Sequence, residues 1–232
     1  MPKSTAICPF NQMPYLYLIS VFLISYLIGS LPTAFFVTKK HSGQDVRTIG
    51  TGNVGAMNVV RATNKPHLFV LVFLIDALKG AIPVWIVKNY ISWPEIEILN
   101  TSFSIWIITA CAFGVVLGHC YSIYFKIKEN RFYGGKAISS LIGILGVLDF
   151  SNLLLPWAGI CLVFILATGY LFLGQLMGTI FLPFIGFLFT RQYFWLCFLI
   201  AIPVFIKQWP RFIPMLKGEE PRWYWKLPKK KG

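Results

Sequence analysis

Charge is what this chain has least of. Only 12% of its 232 residues are Asp, Glu, Lys or Arg, whereas 56% are hydrophobic, and the mean hydropathy is +0.68. A soluble domain carries about 25% charged residues to cover its surface, so a water-soluble globular protein is excluded. Negative charge is scarcer still, with 8 Asp and Glu against 21 Lys and Arg, a net +13. In a polar chain that excess would fit nucleic acid. In one so apolar it fits short loops facing anionic lipid, and no nucleic-acid partner is expected. Cysteine gives no framework either. Cys8, Cys111, Cys120, Cys161 and Cys197 contain no C-x-x-C spacing, and four of them lie in apolar runs. They read as small hydrophobes; neither a metal site nor a disulfide nor a cofactor is expected. A cleavable signal peptide is not expected, because the first apolar run is too long and no A-x-A site follows it.

What the chain has in quantity is apolar length. Seven runs qualify as helices at membrane depth: Tyr15 to Val37, His67 to Val87, Phe103 to Phe125, Ala137 to Leu148, Leu153 to Leu173, Gln175 to Phe189 and Gln192 to Ile206. Inside lipid every backbone polar group needs an internal partner, which selects helices for isolated runs of this length. The expected fold is an all-α polytopic membrane protein, a single integral domain over residues 1–232. Alternate loops differ sharply in basic residues. Lys39, Lys40, Arg47, Arg61 and Lys65, then Lys126, Lys128, Arg131 and Lys136, then Lys207, Arg211, Lys217, Arg222, Lys226, Lys229, Lys230 and Lys231 fall on one side, against Lys3, Lys88 and Arg191 on the other. Positive charge marks the cytoplasmic face, so the N-terminus is expected outside and the C-terminus inside. The closing "KGEEPRWYWKLPKKKG" reads as an interfacial anchor on anionic lipid.

Three polar interruptions break the apolar pattern. In "IGTGNVGAMNVVRATNK", Gly50, Gly52 and Gly55 are expected to leave backbone N–H groups free for an anion, with Asn53 and Asn58 as side-chain donors and Arg61 at the start of a helix. The alternative is a tight turn between helices. The string "GTGNVG" fits G-x-G-x-x-G but follows a charged loop and no βαβ strand, so a dinucleotide fingerprint is not supported. In the second, Gly134 and Gly135 precede Lys136 and a short helix bearing Ser139 and Ser140, an arrangement that suits an oxyanion or equally a positive juxtamembrane loop. His119, ending the third run, is either a hydrogen-bonded interfacial residue or a base. The third is "DALKG", where Asp76 and Lys79 share a helix face. Mutual pairing toward the bundle interior is the expectation. Two phosphate-type loops on one membrane face point to a phosphorylated substrate that is partly lipid.

These stretches, "GSLPTAFFVTK", "DVRTIGTGNVGAMNVVRA", "LIDALKGAIPV" and "GHCYS…GGKA", resemble in order the bacterial acyl-phosphate:glycerol-3-phosphate acyltransferases, seven-helix membrane enzymes of phospholipid synthesis. The likeness is specific over the first 140 residues; beyond them it rests on hydropathy and a closing "LKGEE". The resemblance implies an active site on the cytoplasmic face. There the sn-1 hydroxyl of glycerol 3-phosphate attacks an acyl phosphate and releases phosphate, with no cofactor. It places Thr51 and Lys136 in catalytic positions, and Gly50, Gly52, Asn53, Asn58, Arg61, His119, Gly134, Gly135 and Ser139 about the substrates. The H-x-x-x-x-D pattern of soluble acyltransferases is absent from His41, His67 and His119.

The chain also departs from that family. Thr51 stands at a serine, Met57 at a threonine, Ala137 at a glycine, and "IKENRFY" lengthens the second loop. Gln208 falls at a histidine and Arg211 at an asparagine of the last motif, and Pro214 replaces an arginine. A glutamine is no general base, so the changed motif leaves open a different phosphorylated or polyol acceptor. A small anion transporter is a further alternative, resting on the charges within the second apolar run.

Overall fold

A computed structural model describes residues 14–91, 97–98 and 101–220. Cys8, Lys3 and the basic aromatic tail from 221 to 232 lie outside the described residues. Among the described residues the regular structure is helical, apart from a short β-hairpin of β1 (Glu97–Ile98) with β2 (Thr101–Ser102) and an isolated bridge between Ser122 and Tyr133.

The first apolar run is two helices, α1 (Pro14–Gly29) and α2 (Thr33–Ser42). Pro32 lacks an N–H and disfavours helix in the residue before it, so the run breaks where a single helix to Val37 was expected. A loop leads to α3 (Ala56–Thr63) and then α4 (His67–Tyr90). The third run also breaks, into α5 (Phe103–Cys120) and α6 (Ile123–Glu129). α7 (Ile138–Leu148) is 11 residues, about 16 Å at 1.5 Å per residue, against the ~30 Å of a bilayer core. α8 (Leu155–Thr168) ends at Gly169, whose φ of 74° stops the helix. α9 (Leu171–Phe189) therefore begins before the expected Gln175, while the break at Thr190 and Arg191 falls as expected before α10 (Phe194–Gln208). A short α11 (Phe212–Leu216) closes the described chain. Among the described residues six helical stretches have the length and hydropathy to cross a membrane, and α7 is an additional short apolar helix.

α1 packs on α5, α4 on α7, α8 on α9, and α10 on both α9 and α5. The α4–α7 contact is close because it uses small residues. A Cβ on Gly80 would strike the Ser140 carbonyl, and one on Gly143 the Ala77 carbonyl. That approach seats Ser140 of α7 against Asp76 of α4, where its hydroxyl donates to the Asp76 backbone carbonyl at 2.8 Å. Asp76 and Lys79 are both buried and lie 2.6 Å apart, the pairing expected of charges within a span. The Lys79 ammonium also donates to the Leu31 carbonyl at 2.7 Å, so the break between α1 and α2 is pinned to α4. Leucine, isoleucine and phenylalanine side chains exposed along α1, α4, α8 and α9 form the surface a lipid environment covers.

Candidate active site

The first glycine loop is shaped from within. Asn58 is fully buried; its amide nitrogen donates to the carbonyls of Val46 (2.7 Å) and Ile49 (2.9 Å), and its oxygen accepts from the Thr51 N–H (3.3 Å). Gly50 and Gly52 sit at φ of 55° and 67°, a region that favours glycine, and the chain turns tightly there. The Gly52 N–H closes onto the Ile49 carbonyl at 3.0 Å and the Gly55 N–H onto the Asn53 carbonyl at 3.1 Å. The free donors expected at Gly52 and Gly55 are thus spent in closing turns, and Asn58 staples the loop instead of pointing outward. Thr51 is half-buried, and its hydroxyl takes no part in the loop's hydrogen bonds. Arg61 lies in the last turn of α3, not the first, and folds back over the loop. A Cβ on Gly50 would lie 3.0 Å from Arg61 Cδ.

The second glycine segment runs against the end of α5. The Gly135 N–H donates to the His119 carbonyl and the Ser122 N–H to the Tyr133 carbonyl, both at 2.9 Å. A Cβ on Gly134 would strike the His119 and Cys120 carbonyls; one on Gly135 would strike His119 Nε2 and lie 2.6 Å from the Val54 carbonyl. Since Val54 belongs to the first loop, the two glycine segments touch. A small cleft is shared there, lined by Ser30, Thr33, Val54, Asp76, Lys79, His119, Ser122, Gly134 and Gly135.

Lys136 follows at once, its ammonium 5.1 Å from the centre of the Phe172 ring on α9. Burial brings it down to about 8; the positive charges of Arg211 and Arg61 add to this, and Glu220 opposes it. Arg61 is lowered by partial desolvation and then by Arg211, although its outer surface stays exposed. Arg211 is paired with Glu220, its Nε donating at 2.8 Å. Three cations from three parts of the chain, Arg61, Lys136 and Arg211, thus share one region with a single buried carboxylate. Such a field favours an anion carrying two charges.

Sequence reading singled out Ser139, which is half-buried; its neighbour Ser140 is the buried one and lies 3.2 Å from His119 Nδ1. Gln208 is fully buried between α10 and α9, one turn below Arg211. Its amide nitrogen donates to Thr179 Oγ1 at 3.1 Å, and its oxygen finds no partner among the described residues. Arg47 was not anticipated. It is held by Asp45 (2.5 Å) and by Glu129 (2.6 Å) of the lengthened second loop, amid the rings of Phe35, Phe125 and Tyr133. Asp45 first and Glu129 second raise the Arg47 guanidinium, which in turn holds Asp45 below the usual carboxylate range. The signal was an acid two residues before an arginine in an aromatic-rich chain, too common a pattern to single out.

The apolar helices define an integral membrane protein, with three basic side chains grouped beside its two glycine loops. The chain belongs to the glycerol-3-phosphate acyltransferase family, whose model matches residues 19–218. It is 34% identical over 200 residues to the glycerol-3-phosphate acyltransferase of Wolbachia sp. subsp. Brugia malayi (strain TRS), covering 86% of this chain and 95% of the relative. It is 33% identical over 207 residues to that of Prochlorococcus marinus (strain MIT 9312), covering 87% and 95%. Among solved structures it is similar to PlsY, an integral membrane glycerol 3-phosphate acyltransferase. The glycerol 3-phosphate form gives a TM-score of 0.74 at 28% identity, covering 89% of this chain and 95% of that one. The lysophosphatidic acid form gives 0.71 at 27%, covering 88% and 94%.

Proposed function

We propose that this protein transfers an acyl group from an acyl phosphate to glycerol 3-phosphate, giving 1-acyl-glycerol 3-phosphate and inorganic phosphate at the cytoplasmic face of the cell membrane. One observation carries the reading: Arg61 from the first loop, Lys136 from the second and Arg211 from the end of the last span lie near enough to act on one another's charge. Arg61 and Lys136 hold substrate phosphate, with the Thr51 hydroxyl and the Asn53 amide at its edge. Gly134 and Gly135 let the chain pass close enough to α5 to keep Lys136 in place. Asn58 acts through the loop it staples. Much of the acceleration then comes from positioning two phosphorylated reactants and neutralising the phosphate that leaves. The relatives' names, and the two ligand forms of the similar structure, support the acceptor; the mixed anhydride as donor rests on the motifs. Purified protein in nanodiscs, given palmitoyl phosphate and glycerol 3-phosphate, is expected to form lysophosphatidate and release phosphate. Wild-type protein that forms none refutes the proposal.

A second acceptor is favoured by one observation, Gln208 with its unpaired carbonyl where the family's histidine falls. A panel of phosphorylated and polyol acceptors separates the readings: preference for glycerol 3-phosphate removes the second. The transporter reading loses its motive, because Asp76 and Lys79 form an ion pair with each other and Lys79 donates to the Leu31 carbonyl.

A further inference from the structure

The two glycine loops meet a second time, apart from the contact of Val54 with Gly135, and Arg47 is the joint. Its backbone belongs to the first loop. A Cβ on Gly52 would lie 3.1 Å from the Arg47 carbonyl, and the Val46 carbonyl just before it accepts from Asn58 at 2.7 Å. Its guanidinium reaches into the second loop. There it lies 4.5 Å from the centre of the Phe125 ring and 4.6 Å from that of Tyr133, the residue that precedes Gly134, Gly135 and Lys136. Acids fill the fork from both sides. Asp45 accepts from Nε at 3.0 Å, and Glu129 accepts from Nη1 at 2.6 Å and from Nη2 at 2.8 Å. Asp45 also accepts from the Arg47 backbone N–H at 2.9 Å, so it is part of the first loop on its own account. Glu129 is the acid that crosses between loops, 82 residues away in sequence. It lies in "IKENRFY", the segment that lengthens this chain's second loop.

On this geometry, and resting on the reading above that Arg61 and Lys136 hold substrate phosphate, we infer that Glu129 is a positioning residue: through Arg47 it holds the two glycine loops at the spacing a phosphorylated substrate needs. An exposed ion pair contributes little by itself. This one is bidentate, and the Arg47 side chain is only 13% exposed, seated among aromatic rings. A ligand gripped from two loops must bring them together if they stand apart. A joint formed beforehand removes that cost from binding. No bond or proton is transferred at Glu129, so its loss belongs to the binding of glycerol 3-phosphate and not to the chemical step.

Glu129→Gln keeps the length of the side chain and removes its charge. In nanodiscs it is expected to raise the KM for glycerol 3-phosphate about fivefold, with kcat within about twofold of wild type. Arg47→Met is expected to raise KM at least as much. In that background Glu129→Gln should add less than about twofold, because its route to the site is gone. A second arm needs no substrate. With Cys8 changed to Ser and the four buried cysteines kept, spin labels on Met57→Cys and Ile127→Cys, both exposed, report the distance between the loops by pulsed EPR. Glu129→Gln is expected to lengthen and broaden that distance distribution. A KM for Glu129→Gln within about twofold of wild type, a full multiplication of its effect with that of Arg47→Met, or an unchanged distance distribution overturns the inference. Wild-type protein that makes no lysophosphatidate, while Glu129→Gln still broadens the distribution, overturns the acyl-transfer reading and not the joint.

Discussion

At the scale of single residues, Lys136 controls the pH range of the site. Its ammonium titrates at about 8 because burial and two neighbouring guanidinium groups disfavour its charge. The cation is present below that pH and lost above it, so kcat/KM is expected to fall as pH rises through about 8. Lys136→Ala is expected to cost about 10²-fold in kcat/KM at pH 7, the worth of roughly 3 kcal/mol of charge-assisted binding. Lys136→Arg retains charge, so its profile should stay level where wild type declines; a decline at the same pH would assign the limb elsewhere. Lys136 stood out in the sequence because two glycines precede it, and Arg61 because it follows the glycine loop by six residues, in a chain with few charges to choose among. Asn58 was legible as important but not in its role, since a donor that staples a loop and one that binds a ligand are the same letter. Ala137 shows a local rule overridden: it holds a left-handed conformation, φ 56°, that favours glycine. The ~1–2 kcal/mol this costs a residue with a Cβ is partly offset by about 0.8 kcal/mol from burying the methyl.

At the scale of elements, hydropathy located the apolar segments, and chain chemistry decided where they break. Pro32 and Gly169 were visible as residues, but a window that averages hydropathy passes over them. The breaks matter because α2, α3 and α6 turn back at one end of the bundle and carry the first loop against the second. The α4–α7 contact makes that arrangement rigid. Gly143→Leu is expected to drive the two helices apart and lower the melting temperature by several degrees, read in detergent by fluorescence; an unchanged melting temperature would show that the close contact is not formed. Lys79→Met leaves Asp76 buried without its cation and is expected to cost about 3–5 kcal/mol in stability. Adding Asp76→Leu should recover much of that loss, and a double variant less stable than Lys79→Met would rule out simple pairing. The Asp76–Lys79 spacing announced this pair, whereas its bond to Leu31 depends on a bend that spacing does not encode.

At the scale of the whole molecule, the basic loops predict an orientation. Single cysteines in place of Lys40 and Asn89, at the two ends of this arrangement, should be labelled from opposite faces of a sealed vesicle, Lys40 from the cytoplasmic side. Labelling of both from one side would contradict the topology. What hydropathy and charge cannot show is how segments far apart in sequence converge, because that depends on glycine contacts between helices. The account's central claim is such a convergence, that Arg61 and Lys136 hold the same phosphate. A double-mutant cycle on kcat/KM for glycerol 3-phosphate, with Arg61→Ala, Lys136→Ala and both together, tests it directly. The account predicts that the double variant loses at least about fivefold less than the product of the two single losses, a coupling of about 1 kcal/mol. Losses that simply multiply would mean that the two residues act on separate ligands, and would contradict it.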